Sequence, residues 1–161
     1  MLTSTLKKSK KNSQGFTVIE IILAVAVAAI LAAIAVPSYM GYRYKAQIRA
    51  AIKEIDLIES AIVVYHFEEG EFPDSLNDIG KDQITDPWGN PYRYLRIDGG
   101  TTPGINGKRR RDKNANPVNS DYDLYSMGRD GKTKPQFMAK NARDDIVRAN
   151  DGAYYGLAEK H

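Results

Sequence analysis

An uninterrupted apolar stretch near the start of the chain constrains its fold more than any other feature. Residues Ile21 to Val36 carry no charge, and counted from Phe16 the stretch reaches 21 residues, interrupted only by Thr17 and Glu20. As a helix it extends about 30 Å, which is about the thickness of the hydrocarbon core of a bilayer. The sequence therefore predicts one membrane-spanning helix at this end of the chain.

The residues before the apolar stretch form a basic leader. The first fifteen residues contain four lysines and no acidic residue: Lys7, Lys8, Lys10 and Lys11. Basic residues beside a span stay in the cytoplasm, so the chain after the span is expected on the other side of the membrane. Removing these four charges from the formal net charge of +3 leaves −1, and this near-neutral remainder does not favour nucleic-acid binding.

Three kinds of N-terminal segment share this pattern. A secretory signal could be cut after Ala35, an uncleaved anchor would stay whole, and a third type is cut after Gly15, before the apolar stretch. Glu20 favours the third type, because a carboxylate within a span costs about 2.5–3.5 kcal/mol without a partner. A cut after Gly15 would give Phe16 a new α-amino group, and that ammonium in a neighbouring copy could neutralise Glu20.

The string GFTVIEIILAVAVAAILAAIAVP, from Gly15 to Pro37, resembles the N-terminal signature of type IV pilins and pseudopilins. The resemblance implies that a prepilin peptidase cuts after Gly15 and methylates the amine of Phe16. It also implies that Phe16, Glu20 and Pro37 serve in fibre assembly. Proline removes a helix hydrogen bond, so a kink or local melting is expected at Pro37, and a simple helix end there is the alternative.

The helical pattern continues beyond the span with a different spacing. Isoleucines recur every three or four residues and form one helix face: Ile48, Ile52, Ile55, Ile58 and Ile62. Gly70 and Pro73 end this pattern. The sequence predicts a leader at 1–15, a transmembrane and assembly helix at 16–37, an amphipathic continuation at 38–70 and a small globular head at 71–161.

The head shows short strands separated by turns. A short turn or helix is predicted at 76–79, one strand begins near Tyr92, and a second covers 122–127. The segment 98–120 reads as a long polar loop, with the basic run Lys108 to Arg111 as a solvated loop tip. A short strand or helical turn is expected within 141–158.

Two head strings, DPWGNPYRYL and SDYDLYSMGRDGKT, are similar to the major pseudopilin of type II secretion. With the N-terminal signature, the resemblance covers most of the chain except the 98–120 loop and the tail. It implies the pilin fold, which is an α+β class with a long N-terminal helix packed on a small antiparallel β-sheet head.

The resemblance also implies a calcium ion that braces the loop after the second strand. Asp130 falls on the first acidic ligand, and Asp144 or Asp145 lies near the second. Oxygen atoms of carboxylates and backbone carbonyls are the ligands that calcium prefers. This sequence departs from the family pattern, because the basic string TKPQFMAKNAR follows the turn, and ordinary solvated aspartates are the alternative.

No arrangement of His, Ser or carboxylate residues in the sequence indicates catalysis, so a structural role is predicted. The resemblance implies a homo-oligomeric helical fibre, an inner-membrane assembly platform, minor pilins or pseudopilins, and membrane lipid before assembly. It places the head in the periplasm and the fibre in protein export across the outer membrane. The alternatives are a surface type IV pilin and a soluble secreted binding domain released after Ala35.

Sequencing the N-terminus of the mature protein separates these alternatives. We expect mature protein to start at methylated Phe16, because cleavage before the apolar stretch retains the membrane helix. Edman sequencing or mass spectrometry of the purified protein measures this directly. A start at Val36 would contradict the prediction and support a released soluble domain.

Overall fold

The computed structural model of the protein describes residues 15–161, and residues 1–14, which contain most of the predicted leader, lie outside the described part. The elements in chain order are α1 (Val18–Glu69), a 3-10 helix (Leu76–Ile79), β1 (Arg93–Arg96), α2 (Ile105–Lys108), β2 (Tyr122–Ser126), β3 (Ile146–Ala149), β4 (Tyr154–Leu157) and a 3-10 turn (Ala158–Lys160). The chain divides into two units with the boundary after Gly41. This is the α+β architecture that the sequence predicts.

Helix α1 begins and ends where its sequence predicts. Thr17 precedes its first residue, and after Glu69 the chain turns at Gly70, whose φ of 80° is a left-handed conformation that glycine adopts at low cost. Pro37 lies inside the helix and does not end it. The simple helix end considered for Pro37 is therefore wrong.

The two parts of α1 differ in burial. Every residue from Gly15 to Arg43 is exposed, although this part is almost entirely apolar. In the later part, Ile55, Ile58 and Ile62 are fully buried, while Ile48 and Ile52 pack against the same core from its edge. The predicted isoleucine face is therefore confirmed as core.

The four strands form one antiparallel sheet in the order β1-β2-β3-β4. Tyr125 of β2 lies opposite Arg93 of β1 on one side and opposite Val147 of β3 on the other. The predicted strands near 92 and 122–127 correspond to β1 and β2. The tail contributes two strands, β3 and β4, rather than the single short strand or helical turn predicted there.

Alternate residues of the sheet face two hydrophobic clusters, as the pleat of a β-strand requires. On one side, Leu124 and Ile146 pack with the buried face of α1, and Trp88 lies against this cluster. The second cluster consists of Val118, Phe137, Val147, Ala149 and Ala158. The second cluster combines Val118 of the 98–120 segment with Phe137 and with residues of the tail (141–158), so both of these segments belong to the folded head.

Truncating the buried isoleucine face should destabilise the head. We expect Ile58→Ala to lower the free energy of unfolding by about 2–5 kcal/mol, because it leaves a cavity in a fully buried site. The neighbouring variant Leu57→Ala is the matched control. Leu57 is 65% exposed, and we expect its loss to change stability by only about 0.5 kcal/mol.

Denaturant unfolding of the detergent-solubilised chain, followed by the fluorescence of its single tryptophan, gives both values. Equal losses for the two variants would show that the isoleucine face is not the core of the head.

Candidate functional site

The peptide bond between Gly15 and Phe16 lies in an exposed, non-helical segment immediately before α1. The Phe16 side chain is 86% exposed, and among residues 17–161 no atom lies within 4 Å of the position that a side chain at Gly15 would occupy. A protease could therefore reach this bond without unwinding the helix.

Glu20 lies one helical turn beyond Phe16 and helps to cap the N-terminus of α1. Its Oε2 accepts hydrogen bonds from the backbone N–H and the hydroxyl of Thr17, each at 2.8 Å, while the Glu20 N–H donates to the Thr17 hydroxyl oxygen at 3.3 Å. This reciprocal pair is a capping box, which satisfies free donors at a helix start. Within residues 15–161, no hydrogen bond involves Oε1, so this oxygen can accept a further donor.

The third predicted assembly residue, Pro37, is exposed further along the same helix. Proline has no N–H to donate, which leaves a backbone carbonyl of the preceding turn without its helical partner. One residue on, the Ser38 hydroxyl donates to the carbonyl oxygen of Ile34 at 3.1 Å. Phe16 and Glu20 both lie at the helix start, where Glu20 is hydrogen-bonded to Thr17, whereas Pro37 lies further along the apolar part.

The exposed side of α1 in the second unit carries two further groups of residues. Lysine and arginine recur at four-residue steps on its first turns: Lys45, Arg49 and Lys53. Nearer the end of the helix, four large apolar side chains are exposed: Leu57 (65%), Val63 (53%), Val64 (55%) and Phe67 (90%). The sequence analysis missed this apolar group, although these residues lie outside the isoleucine spacing, which is the signal that could have identified them.

The three aspartates predicted as calcium ligands do not form one cluster. The Asp130 N–H donates to Asp144 Oδ2 at 3.1 Å, so these two residues are adjacent. Asp145 is fully buried and forms an ion pair with Arg110, with 2.6 Å between Oδ2 and Nη2. Within residues 15–161, no group of three or more His, Asp or Glu residues could hold a metal. The structure therefore places Asp130 beside Asp144, as a first and a second acidic ligand would require, and pairs Asp145 with Arg110, so calcium binding stays a prediction.

Arg110 is one of two buried arginines that the sequence analysis missed. It is 2% exposed, so the interpretation of the Lys108 to Arg111 run as a solvated tip is wrong at this residue. Burial raises the pKa of Asp145 to about 6, and the positive charge of Arg110 opposes this rise. The 2.6 Å contact with the Arg110 guanidinium is the interaction that favours the ionised carboxylate.

Arg148 is the second buried arginine, and it connects β3 to helix α1. Its Nε donates to Glu59 Oε1 at 2.8 Å, and its Nη2 donates to Asp121 Oδ2 at 2.6 Å. Its guanidinium lies 4.1 Å from the centre of the Tyr122 ring. Burial lowers the pKa of Arg148, but the hydrogen bonds to Asp121 and Glu59 outweigh this effect and raise it. This network fixes the amphipathic part of α1 on the sheet.

Comparisons with known proteins match the N-terminal segment with a family model and most of the chain with relatives. The family model described as the prokaryotic N-terminal methylation motif matches residues 10–36, the segment that contains the exposed Gly15–Phe16 bond and Glu20. The type II secretion system core protein G of Pseudomonas aeruginosa is 30% identical over 144 residues, which cover 76% of this chain and 88% of that protein.

Two other relatives show how far the similarity extends. The type II secretion system core protein G of Aeromonas hydrophila is 29% identical over 144 residues, covering 76% of this chain and 87% of that protein. The type IV major pilin protein PilE of Neisseria gonorrhoeae is 28% identical over 151 residues, covering 86% of each chain. No solved structure matches this chain significantly.

Proposed function

The chain belongs to the family of the type II secretion system core protein G, and we propose that it is the major subunit of a periplasmic pseudopilus that drives protein export across the outer membrane. One observation carries this proposal. The helix that is long and apolar enough to cross a membrane has no buried residue in its apolar stretch among residues 15–161. Such a surface requires lipid or other copies of itself.

Processing prepares the subunit for both environments. We propose that a prepilin peptidase removes the leader after Gly15 and methylates the amine of Phe16. The apolar part of α1 then anchors the subunit in the inner membrane, with the head in the periplasm. An assembly platform in that membrane would transfer the helix from lipid into a fibre, where sister helices replace the lipid contacts.

Glu20 sets the position of each subunit relative to its neighbour in this assembly. In a fibre core its carboxylate would be costly without a partner, and the ammonium of Phe16 on a neighbouring copy supplies one. The capping box uses Oε2, so Oε1 is the oxygen that would accept the neighbour's ammonium. The same carboxylate can therefore hold its own helix start and bind a second subunit.

The exposed side of α1 in the head supports contact with further copies. Its apolar residues would be removed from water if another subunit packed there, and minor pseudopilins could occupy the same surface at a fibre end. The exposed basic residues Lys45, Arg49 and Lys53 precede the exposed acids Glu68 and Glu69 on the same helix. Copies displaced along a common axis would bring opposite charges together.

Replacing Glu20 tests the proposed function. We expect Glu20→Gln to insert into the membrane normally, because glutamine also closes a capping box. It should fail to form fibres, because a buried ion pair that loses one partner costs about 3–5 kcal/mol. In a strain that lacks the wild-type gene, proteins normally exported should then accumulate in the periplasm.

Thr17→Ala is the matched control for this experiment, because it removes the hydroxyl of the capping box and keeps the carboxylate. We expect it to support fibres and export. Normal export by Glu20→Gln would contradict the assembly role of Glu20. If deletion of the gene leaves export intact and removes fibres from the cell surface, the protein is a surface pilin, the function that its similarity to PilE favours.

Introducing a charge on the exposed apolar group tests the proposed contact between heads. We expect Phe67→Asp to leave thermal unfolding unchanged, because the side chain is 90% exposed in the single chain. Fibre yield should fall about tenfold or more, which corresponds to a loss of about 1.4 kcal/mol of association free energy. The conservative variant Phe67→Leu should retain fibres, and equal yields for both variants would exclude this surface from the fibre.

A further inference from the structure

Arg110 places a permanent positive charge inside the head. Its guanidinium lies 4.2 Å from the centre of the Tyr125 ring and 5.1 Å from that of Phe137, so it is held between two aromatic side chains. A guanidinium does not lose its proton in a protein. A buried charge of this kind is stable only where oxygen atoms surround it.

Those oxygen atoms come from one segment, residues 133–145, which we name the strap. Arg110 Nη2 pairs with Asp145 Oδ2 at 2.6 Å, while Nη1 donates to the Thr133 hydroxyl at 2.5 Å and to the Lys134 carbonyl at 2.8 Å. A carboxylate, a hydroxyl and a carbonyl are the oxygen types that also bind calcium. Here they point to nitrogen atoms of Arg110.

The backbone beside Arg110 also holds the strap. The Arg111 N–H donates to the Pro135 carbonyl, and the Phe137 N–H donates to the Arg111 carbonyl, each at 2.9 Å. On the opposite side, the Arg110 N–H donates to Asp123 Oδ2 at 2.7 Å. Arg110 therefore lies between β2 and the strap and binds to both.

We propose that Arg110 is the internal cation that fastens the strap to the sheet, and that the head therefore reaches full stability without calcium. A guanidinium bonded to the chain cannot be removed by a chelator, and its occupancy does not depend on the metal concentration outside the cell. Asp145, the one predicted ligand at this position, already neutralises that charge. Asp145 Oδ1 is buried and has no hydrogen-bond partner among residues 15–161, and one oxygen falls short of the six to eight that calcium takes.

Thermal unfolding of the full chain in detergent tests the proposal. We expect the same melting temperature, within about 1 °C, in excess calcium chloride and in excess EDTA, because Arg110 already neutralises Asp145 and holds the strap. Isothermal titration with calcium chloride should show no saturable binding. A melting temperature that rises by about 4 °C or more with calcium, which is about 1 kcal/mol for a head of this size, would overturn the proposal.

Substitution of Arg110 tests its role separately. We expect Arg110→Met to lower the melting temperature by about 5 °C or more, because it leaves the buried Asp145 carboxylate without its partner. Lys108→Met is the matched control in the same basic run, and its exposed side chain predicts no change. An unchanged melting temperature for Arg110→Met would overturn the assignment.

A double variant covers the case in which Arg110→Met does not fold. We expect Arg110→Met combined with Asp145→Asn to regain part of the lost stability, since no uncompensated charge then remains in the core. If the double variant is no more stable than the single one, the ion pair is not what holds the strap. These readouts concern the folded head alone, so they stand whether or not the chain proves to be a pseudopilus subunit.

Discussion

The exposed apolar part of α1 is the constraint on which the rest of the molecule depends. A helix satisfies its backbone hydrogen bonds internally, so it can move from lipid to a protein environment without exposing unpaired N–H or C=O groups. Each residue of its apolar first part, up to Gly41, is exposed in the part of the chain that the structure describes. The other features lie along the chain in relation to this helix. An accessible bond precedes it, a carboxylate lies at its start and a folded head follows it.

In the head, a small sheet is held on the amphipathic part of α1 by two kinds of contact. Apolar packing supplies most of the contact through the isoleucine face, but each side of the sheet also contains a buried arginine. Arg148 binds Glu59 of α1 on one side, and Arg110 binds Asp145 of the strap on the other. Buried ion pairs contribute little net stability compared with apolar groups. Removing one partner, however, lowers the free energy of unfolding by several kcal/mol, so each pair favours one arrangement of the segments that it joins.

Local sequence patterns predicted the elements whose signals lie in their own residues. The limits of α1, the 3-10 helix Leu76–Ile79 and the strands β1 and β2 follow from periodicity and turn residues. Strands β3 and β4 were not separated, because each has only four residues and β3 contains Arg148, whose burial depends on Asp121 and Glu59 elsewhere in the chain. The turn string Asn150-Asp151-Gly152, with left-handed backbone at each residue, was the available signal. The burial of Arg110 was likewise set by distant partners.

The strand order has a consequence for when the head can become native during biosynthesis. Each strand pairs only with its neighbour in sequence, so the sheet grows from β1 towards β4 as the chain emerges. The second hydrophobic cluster, however, needs Phe137, Val147 and Ala158 at once. A head whose residues up to Ala158 have not yet been synthesised lacks one of its two hydrophobic clusters, so the sheet can begin to form before the head is fully packed.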